Sequence, residues 1–261
     1  MQSINVVKGE YIRELLNKNS REDSRKFDEY RNIRITPGVI EHAEGSAQVD
    51  LGFTKVLAGV KLDVDTPMPD KPDEGNLIVS AELLPLASTE FEAGPPSPEA
   101  IELARVVDRG VRASELLDLG SLFIEEEKVW SVFVDIYILN YDGNLFDASM
   151  LAAVSALSST RMPKYEDDKV IREGNLQKLK TGKIVTSCTF AKVGNAILLD
   201  ADSNEESVMD ARLTIANDED KIRAMQKGLS GSFTHEEILS AIDKSFEKSK
   251  ELRSIIKNAG D

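Results

Sequence analysis

The stretch from Asp200 to Arg212, DADSNEESVMDAR, holds five carboxylates in thirteen residues. Carboxylates at this density can coordinate Mg²⁺, which prefers oxygen ligands, or transfer protons as general acids and bases. They can also be ordinary solvated turn residues. The stretch follows an apolar run at 196–199 and leads into a strand-like run at 208–215, and the two runs together predict a hairpin with acidic residues in its turn.

Three residues of this stretch would share one face of the second predicted strand, because their spacings are even: Glu206, Asp210 and Arg212. A carboxylate and an arginine on the same face favour an ion pair over a metal cage. The alternative is a stand-alone metal-binding module built from residues 200–210.

A second candidate site is a group of arginines on a helix predicted over residues 101–117. At 100° per residue, Arg105, Arg109 and Arg112 fall within about 60° of one another, opposite the apolar arc of the helix. Three arginines on one face can hold successive phosphates through forked hydrogen bonds. The alternative is a solvated helix face with local ion pairs such as Asp108–Arg112.

The composition excludes several classes of protein. The chain has 261 residues and a net charge of −14, which argues against coating nucleic acid by bulk electrostatics but leaves room for a local basic patch. No apolar run approaches the roughly 18–20 residues of a membrane span, and the N-terminus has no signal-peptide core.

The single cysteine, Cys188, lies in an apolar run and predicts a buried structural thiol. Two histidines are too few for a histidine-rich metal site, and the GxGxxG, P-loop and GxSxG motifs are absent. These features predict a soluble cytoplasmic protein.

The elements that must position these residues alternate between strand clusters and helices. Hydrophobic periodicity predicts helices over 9–19, 98–117, 147–160 and from Thr234 onward, and strands over 54–60, 77–84, 129–139, 183–192, 195–200 and 207–216. Hairpin-like strand pairs among them predict an α+β fold with mixed sheets packed against helices. The predicted organisation is an N-terminal helix and polar connector over 1–32, followed by a single domain over 33–261.

Several separated segments resemble the RNase PH family of phosphorolytic 3′→5′ exoribonucleases, in collinear order along nearly the whole chain. They are Arg21-Glu22-Asp23-Ser24-Arg25, with Ser24 in place of a glycine; Gly45-Ser46, Gly52 and Thr54-Lys55-Val56; Ala81-Glu82 with Leu84-Pro85; Arg105 to Arg112; and Asp142-Gly143 with Asp147-Ala148-Ser149. Within the family, the stretches ELLPLAS and EESVMDARLTI are most similar to the non-catalytic RNase PH-like subunit of the archaeal exosome. The resemblance implies an RNase PH-like fold.

The chain departs from the family at the positions that do chemistry in active members. Where those members have phosphate-binding arginines, this sequence has Leu86, Glu99 and Phe146. Where they have an acidic pair six residues apart, it has Glu206 and Arg212. Phosphorolysis holds a phosphate dianion beside the phosphodiester of RNA, and two like charges at close range need compensating cations.

The resemblance therefore implies a chain with no catalytic residues of its own, no bound metal and no cofactor. It implies that this chain forms heterodimers with a catalytic RNase PH-like partner and that three heterodimers form a hexameric ring. The other partners that it implies are RNA-binding cap subunits and single-stranded RNA. Arg105, Arg109 and Arg112 would contact RNA phosphates, and the chain would shape the partner's active site. The alternative is an active phosphate-dependent exoribonuclease that uses Glu206 and Asp210.

Overall fold

The computed structural model describes residues 2–174 and 176–260 of the chain. The helices are α1 Gln2–Asn17, α2 Pro98–Ser114, α3 Leu145–Ser159, α4 Ser203–Glu206 and α5 His235–Ala259, with a 3₁₀ helix at Leu119–Leu122. The strands are β1 Ile33–Pro37, β2 Gly45–Leu51, β3 Thr54–Asp65, β4 Asn76–Leu83, β5 Phe123–Glu125, β6 Lys128–Asn140, β7 Arg161–Met162, β8 Lys164–Glu166, β9 Lys169–Ile171, β10 Gln177–Lys178, β11 Thr186–Val193, β12 Ala196–Leu199, β13 Ala211–Asn217 and β14 Ile222–Gly228. None of the helices in these ranges combines the length and apolar character of a membrane span.

The first sheet is mixed and presents one face to the core. Its main path is β1-β2-β3-β6-β4, in which β4 pairs with β6 in parallel and the other pairs are antiparallel; β5 also pairs with β6. On β3, Val56, Ala58, Val60 and Leu62 are fully buried, whereas the residues between them are partly exposed. This period of two places one face of the sheet against α2 and α3. The mixed sheet and its helices confirm the predicted α+β fold.

The second sheet has four antiparallel strands in the order β12-β11-β13-β14. On β11, Ser187 and Thr189 each donate a hydrogen bond to Asp147 of α3, while Cys188 between them contacts Ser249 of α5. Because alternate side chains on a strand point to opposite faces, α3 lies between the two sheets and α5 covers the outer face. Cys188 is fully buried, and burial raises the pKa of its thiol to about 12, as expected of the predicted structural cysteine.

Helix α2 carries the candidate arginines and is defined by its caps. The Ser97 hydroxyl accepts a hydrogen bond from the first turn and Pro98 is the first helical residue, as the sequence predicts. The helix ends at Ser114, three residues before its predicted end, because Glu115 adopts a left-handed φ of 57°. The arginine positions all lie within the observed helix.

The predicted hairpin between residues 196–199 and 208–215 is wrong. β12 and β13 both pair with β11, which lies between them. β13 itself begins only at Ala211. The chain between β12 and β13 therefore passes from one side of β11 to the other and is not a two-strand turn.

The acidic stretch contains the short helix α4 in place of the predicted turn. Asp202 caps it, and Glu205 completes a capping box by accepting a hydrogen bond from the Asp202 backbone. Glu206 consequently ends a helix, and Asp210 precedes β13. The even-spacing argument that put both residues on one strand face with Arg212 does not apply.

The connector between α1 and β1 is attached to the second sheet by buried arginines. Arg21 is 2% exposed and binds the equally buried Glu205 through two hydrogen bonds, Nε–Oε1 at 2.8 Å and Nη2–Oε2 at 2.5 Å. It also donates to two backbone carbonyls at the end of β12. Arg25 and Arg31 both form ion pairs with the Asp200 carboxylate. The first motif of the resemblance is thus a structural anchor in this chain.

Ser24, at the position of the family glycine in this motif, has a left-handed φ of 65° and is exposed. A side chain in this conformation costs roughly 1–2 kcal/mol, whereas glycine adopts it freely and loses about 0.5–1 kcal/mol in chain entropy. We therefore expect Ser24→Gly to raise the free energy of unfolding by about 0.5–1 kcal/mol, measured by urea denaturation. Ser20→Gly is the matched control, because Ser20 is also exposed but lies outside the left-handed region, and it should be neutral or destabilising. A loss of stability in Ser24→Gly would contradict the prediction.

Candidate functional site

One cleft brings together four of the five positions that the resemblance places at the active site of active family members; one of these four, Glu206, keeps the family carboxylate. It has a volume of about 1330 Å³ and lies between the loop after β4, the first turns of α2 and α3, and the segment containing α4. Its lining includes Glu99, Phe146, Glu206 and Arg212. Leu86, the fifth position, is 71% exposed on the adjoining loop. The resemblance therefore identifies a real concave site.

The described lining of this cleft is acidic. Two cationic residues contribute to it, Lys8 and Arg212. Six glutamates oppose them: Glu82, Glu90, Glu92, Glu99, Glu102 and Glu206. An excess of carboxylates in a concave site repels anions such as inorganic phosphate.

Arg212 is held by residues outside the acidic stretch. Its Nη2 lies 2.6 Å from Oε1 of Glu102 on α2, and its guanidinium stacks 4.0 Å from the ring centroid of Phe146. The predicted ion pair with Glu206 or Asp210 is therefore wrong, because α2 packs against β13 and β14 and supplies a carboxylate from 110 residues away. The side chain is only 12% exposed and is committed to this pair and to the aromatic ring.

Glu206 accepts hydrogen bonds at both carboxylate oxygens. The Tyr141 hydroxyl donates to Oε2 at 2.7 Å, and the Asn144 backbone N–H donates to Oε1 at 2.9 Å. Burial raises the pKa of the Glu206 carboxyl, and burial together with the neighbouring Glu206 raises the pKa of the Tyr141 hydroxyl. Glu206 thus fixes the turn before α3, which leaves it poorly suited to bind a metal or to act as a mobile base.

Asp210 belongs to a different cluster. Its carboxylate lies 3.1 Å from Nη2 of Arg13 on α1 and accepts a hydrogen bond from the Gly194 N–H at 2.6 Å. The hydrogen bond from Arg13 lowers the pKa of the Asp210 carboxyl. Among the described residues, Asp210 is not part of the cleft lining. The structure therefore does not bring Glu206 and Asp210 together as a catalytic pair.

The remaining carboxylates of the acidic stretch also have structural partners. Asp200 accepts from Arg31 and from the Asn144 side-chain amide, Asp202 caps α4, and Glu205 binds Arg21. In residues 2–174 and 176–260, no three histidine, cysteine, aspartate or glutamate side chains are placed to hold one metal ion. The acidic stretch joins the connector, α1 and α3 to the second sheet.

The three arginines of α2 lie on one exposed face, as their spacing predicts. We call Arg105, Arg109 and Arg112 the arginine stripe. Arg109 donates to the side chain of Gln226 on β14 at 3.0 Å, and Arg112 forms the ion pair with Asp108 at 2.7 Å. Arg105 has no hydrogen-bond acceptor in the described part of the chain. The stripe is exposed to an external ligand, although Arg112 already has two intramolecular partners, the Asp108 carboxylate and the Leu77 carbonyl.

Sequence reasoning missed two side chains that define the cleft. Tyr141 fixes Glu206, and its position directly before the Asp142-Gly143 turn was a usable signal. Glu102 binds Arg212, but its place on the predicted helix carries no sign of that pairing. Only the packing of α2 across the second sheet reveals it.

Family models match most of the chain. The 3′ exoribonuclease family, domain 1, of the RNase PH type matches residues 29–163, and domain 2 of the same family matches residues 183–248. The two matches include the arginine stripe, the acidic stretch and most of the residues that line the cleft.

Curated relatives and solved structures agree with the family models. The chain is 47% identical to the exosome complex component Rrp42 of Thermococcus gammatolerans, over 99% of this chain and 98% of the relative. It is 50% identical to the Rrp42 component of Methanopyrus kandleri, over 91% of each. A chain in the structure of the Archaeoglobus fulgidus exosome with RNA bound to the active site has a TM-score of 0.91 at 47% identity, with 96% of this chain and 98% of that chain covered. On these matches the chain belongs to the RNase PH family of 3′ exoribonucleases.

Proposed function

We propose that this chain is an exosome subunit that takes part in 3′→5′ RNA degradation without catalysing phosphorolysis itself. It binds RNA and structures the active site of a catalytic RNase PH-like partner in a ring of three heterodimers. RNA-binding cap subunits complete the assembly, which acts in the cytoplasm. Relatives named as exosome components, over nearly the full length of the chain, support this assignment.

The charge of the cleft is the observation that carries the proposal. Phosphorolysis requires inorganic phosphate to lie beside an RNA phosphodiester, and compensating cations must hold the two together. Here Arg212 is bound to Glu102. Glu99 and Phe146 occupy positions at which active members have arginines, and most charged residues of the lining are glutamates. A phosphate dianion would be repelled from this cleft.

The arginine stripe supports a role in holding RNA. Guanidinium groups on one exposed helix face suit sequence-independent contact with phosphates. The net charge of −14 is compatible with this role, because only the local surface that meets RNA must be basic. The stripe would position the RNA strand for the partner's active site.

The first test is activity of the chain by itself. Purified alone and given oligo(A), inorganic phosphate and Mg²⁺, it is expected to release no nucleoside diphosphate above the level of a no-enzyme control. Release should appear when the catalytic partner is added and the ring forms. Product is measured by anion-exchange chromatography, and ring formation by light scattering.

Release of nucleoside diphosphate by the chain alone would instead support an active exoribonuclease that uses Glu206 and Asp210. In that case Glu206→Gln and Asp210→Asn should each abolish the release. Release of nucleoside diphosphate that persists in both variants would indicate a contaminating phosphorolytic exoribonuclease, and repeat assays after further purification would then decide between the two functions.

A further inference from the structure

A basic segment connects α3 to the second sheet along the chain. The stretch of sequence from 161 to 183, which we call the basic hairpin, contains the two small ladders β7–β10 and β8–β9. The segment carries seven lysines and arginines against four aspartates and glutamates, an excess of three positive charges in a chain whose net charge is −14. The charge of the basic hairpin is therefore opposite in sign to that of the rest of the chain.

Two cations face each other directly across the ladder β7–β10. Arg161 and Lys178 are Cα partners in this antiparallel pair, so their side chains lie on the same side. Both are exposed, and the only hydrogen bond that the Arg161 guanidinium makes to a described residue is to the Leu176 carbonyl, at 3.4 Å. Like charges directly opposite each other destabilise a ladder. This rung therefore costs the fold some stability.

Glu44, an acidic residue that contacts Arg161 through the backbone, is already neutralised by other cations. The Arg161 backbone N–H donates to the Glu44 carbonyl, which places Glu44 beside the rung. The Glu44 carboxylate, however, forms ion pairs with both Lys61 and Arg172, each at 2.9 Å. One carboxylate thus serves two cations and leaves Arg161 and Lys178 uncompensated.

The helix dipole accounts for only part of this surplus. Arg161 follows Thr160, the residue that caps the C-terminus of α3, and a cation is favourable there. This effect falls off within the last turn of a helix. It gives no reason for Lys178 on the opposite strand, or for the exposed Lys180 that follows. Neither lysine forms an ion pair within the described ranges.

The basic hairpin adjoins the end of α2 that carries Arg112. The Gly182 N–H donates to the Leu116 carbonyl at 2.7 Å, and Thr181 forms a β-bridge with Leu117, just after α2. Lys180 immediately precedes Thr181 in the chain. Basic groups from two segments, α2 and the basic hairpin, therefore lie near the C-terminal end of α2.

We propose that Arg161, Lys178 and Lys180 form a second RNA-binding surface. This surface binds the phosphate backbone of the part of a single-stranded RNA that extends past the arginine stripe. This inference rests on the proposed function, because it assumes that the assembled protein handles RNA. Phosphates of a bound strand supply the negative charge that the rung lacks. No aromatic side chain takes part, so the contact is independent of base identity.

The test uses Arg161→Ala/Lys178→Ala/Lys180→Ala in the assembled complex with its catalytic partner. With RNA long enough to extend past the arginine stripe, affinity should fall on the order of tenfold or more at physiological salt, and the slope of log K against log salt should decrease by about 2. Binding of a short oligonucleotide that fills only the stripe should not change. The melting temperature should change little, since the variant removes like-charge repulsion at the rung and also the favourable cation at the C-terminus of α3.

Two further variants make the result decisive. Lys244→Ala/Lys250→Ala/Lys257→Ala on α5 removes the same charge from another part of the surface, where Lys250 and Lys257 are exposed and Lys244 is half-buried, and should leave RNA affinity unchanged. The alanine variant of the arginine stripe tests the proposed function separately. If the stripe variant weakens binding and the hairpin variant does not, the second surface is refuted and the proposed function stands. If neither variant weakens binding, the proposed function fails as well.

Discussion

Replacing Arg21 by methionine is expected to lower the free energy of unfolding by about 3–5 kcal/mol. Arg21 and Glu205 are each 2% exposed, and the guanidinium also satisfies two backbone carbonyls at the end of β12. Without the arginine, Glu205 would remain as a buried charge with no cation, and these carbonyls would lose their donor. Urea denaturation of the purified chain, followed by circular dichroism, measures the change.

A second variant separates the loss of the ion pair from the loss of packing. Replacing both partners, Arg21→Met with Glu205→Leu, removes the uncompensated charge and should recover much of the lost stability. Lys18→Met is the matched control, because Lys18 forms an exposed ion pair with Glu14 and should change stability by less than about 0.5 kcal/mol. A loss below about 1 kcal/mol in Arg21→Met would show that the buried pair does not anchor the connector.

Local signals predicted the elements that depend on local chemistry. The start of α2 follows from a serine cap and a proline, and α5 begins at the capping box of Thr234 and Glu237, as the sequence indicates. The end of α2 was missed, because the left-handed conformation of Glu115 has no strong sequence signature. Local pattern is a good guide to where a helix starts and a poorer one to where it ends.

Pairing between distant strands was the part that local pattern could not supply. Two apolar runs close in sequence suggested a hairpin, but β11 lies between β12 and β13. The acidic residues between these strands also contained a signal that was overlooked, since Asp202 followed three residues later by Glu205 matches a capping box. That pattern indicates a helix where a turn was expected.

The candidate site was located by resemblance and resolved by packing. Four of the family positions, Glu99, Phe146, Glu206 and Arg212, line one cleft. The pairing of Arg212 with Glu102 depends on how α2 crosses the second sheet, and no pattern within either segment encodes it. The role of the arginine stripe in RNA binding stays a prediction.

The alanine variant of the arginine stripe, Arg105→Ala/Arg109→Ala/Arg112→Ala, is expected to weaken RNA binding by the assembled complex by about tenfold to a hundredfold at physiological salt. Each lost phosphate contact lowers the salt slope by about 0.7, so the slope should decrease by about 2. Fluorescence anisotropy over a range of salt concentrations measures both quantities. The chain itself should stay folded, because none of the three side chains contributes to its core, and light scattering checks that the ring is intact before the affinities are compared.

The control for net charge is again Lys244→Ala/Lys250→Ala/Lys257→Ala on α5, which should bind RNA normally. Unchanged affinity of the stripe variant in an intact ring would reject the assignment and favour a solvated helix face.

The single substitutions rank the arginines, because their intramolecular partners differ. Arg105 has no acceptor among the described residues, so its full charge is available to a phosphate and Arg105→Ala should have the largest effect. The Arg112 guanidinium is already paired with the Asp108 carboxylate, which weakens its attraction for an RNA phosphate. Asp108→Asn should consequently tighten RNA binding by removing both the competing ion pair and a nearby negative charge. A solvated helix face predicts no change in RNA affinity for either variant, so opposite effects of Arg105→Ala and Asp108→Asn would identify the stripe as a phosphate-binding surface.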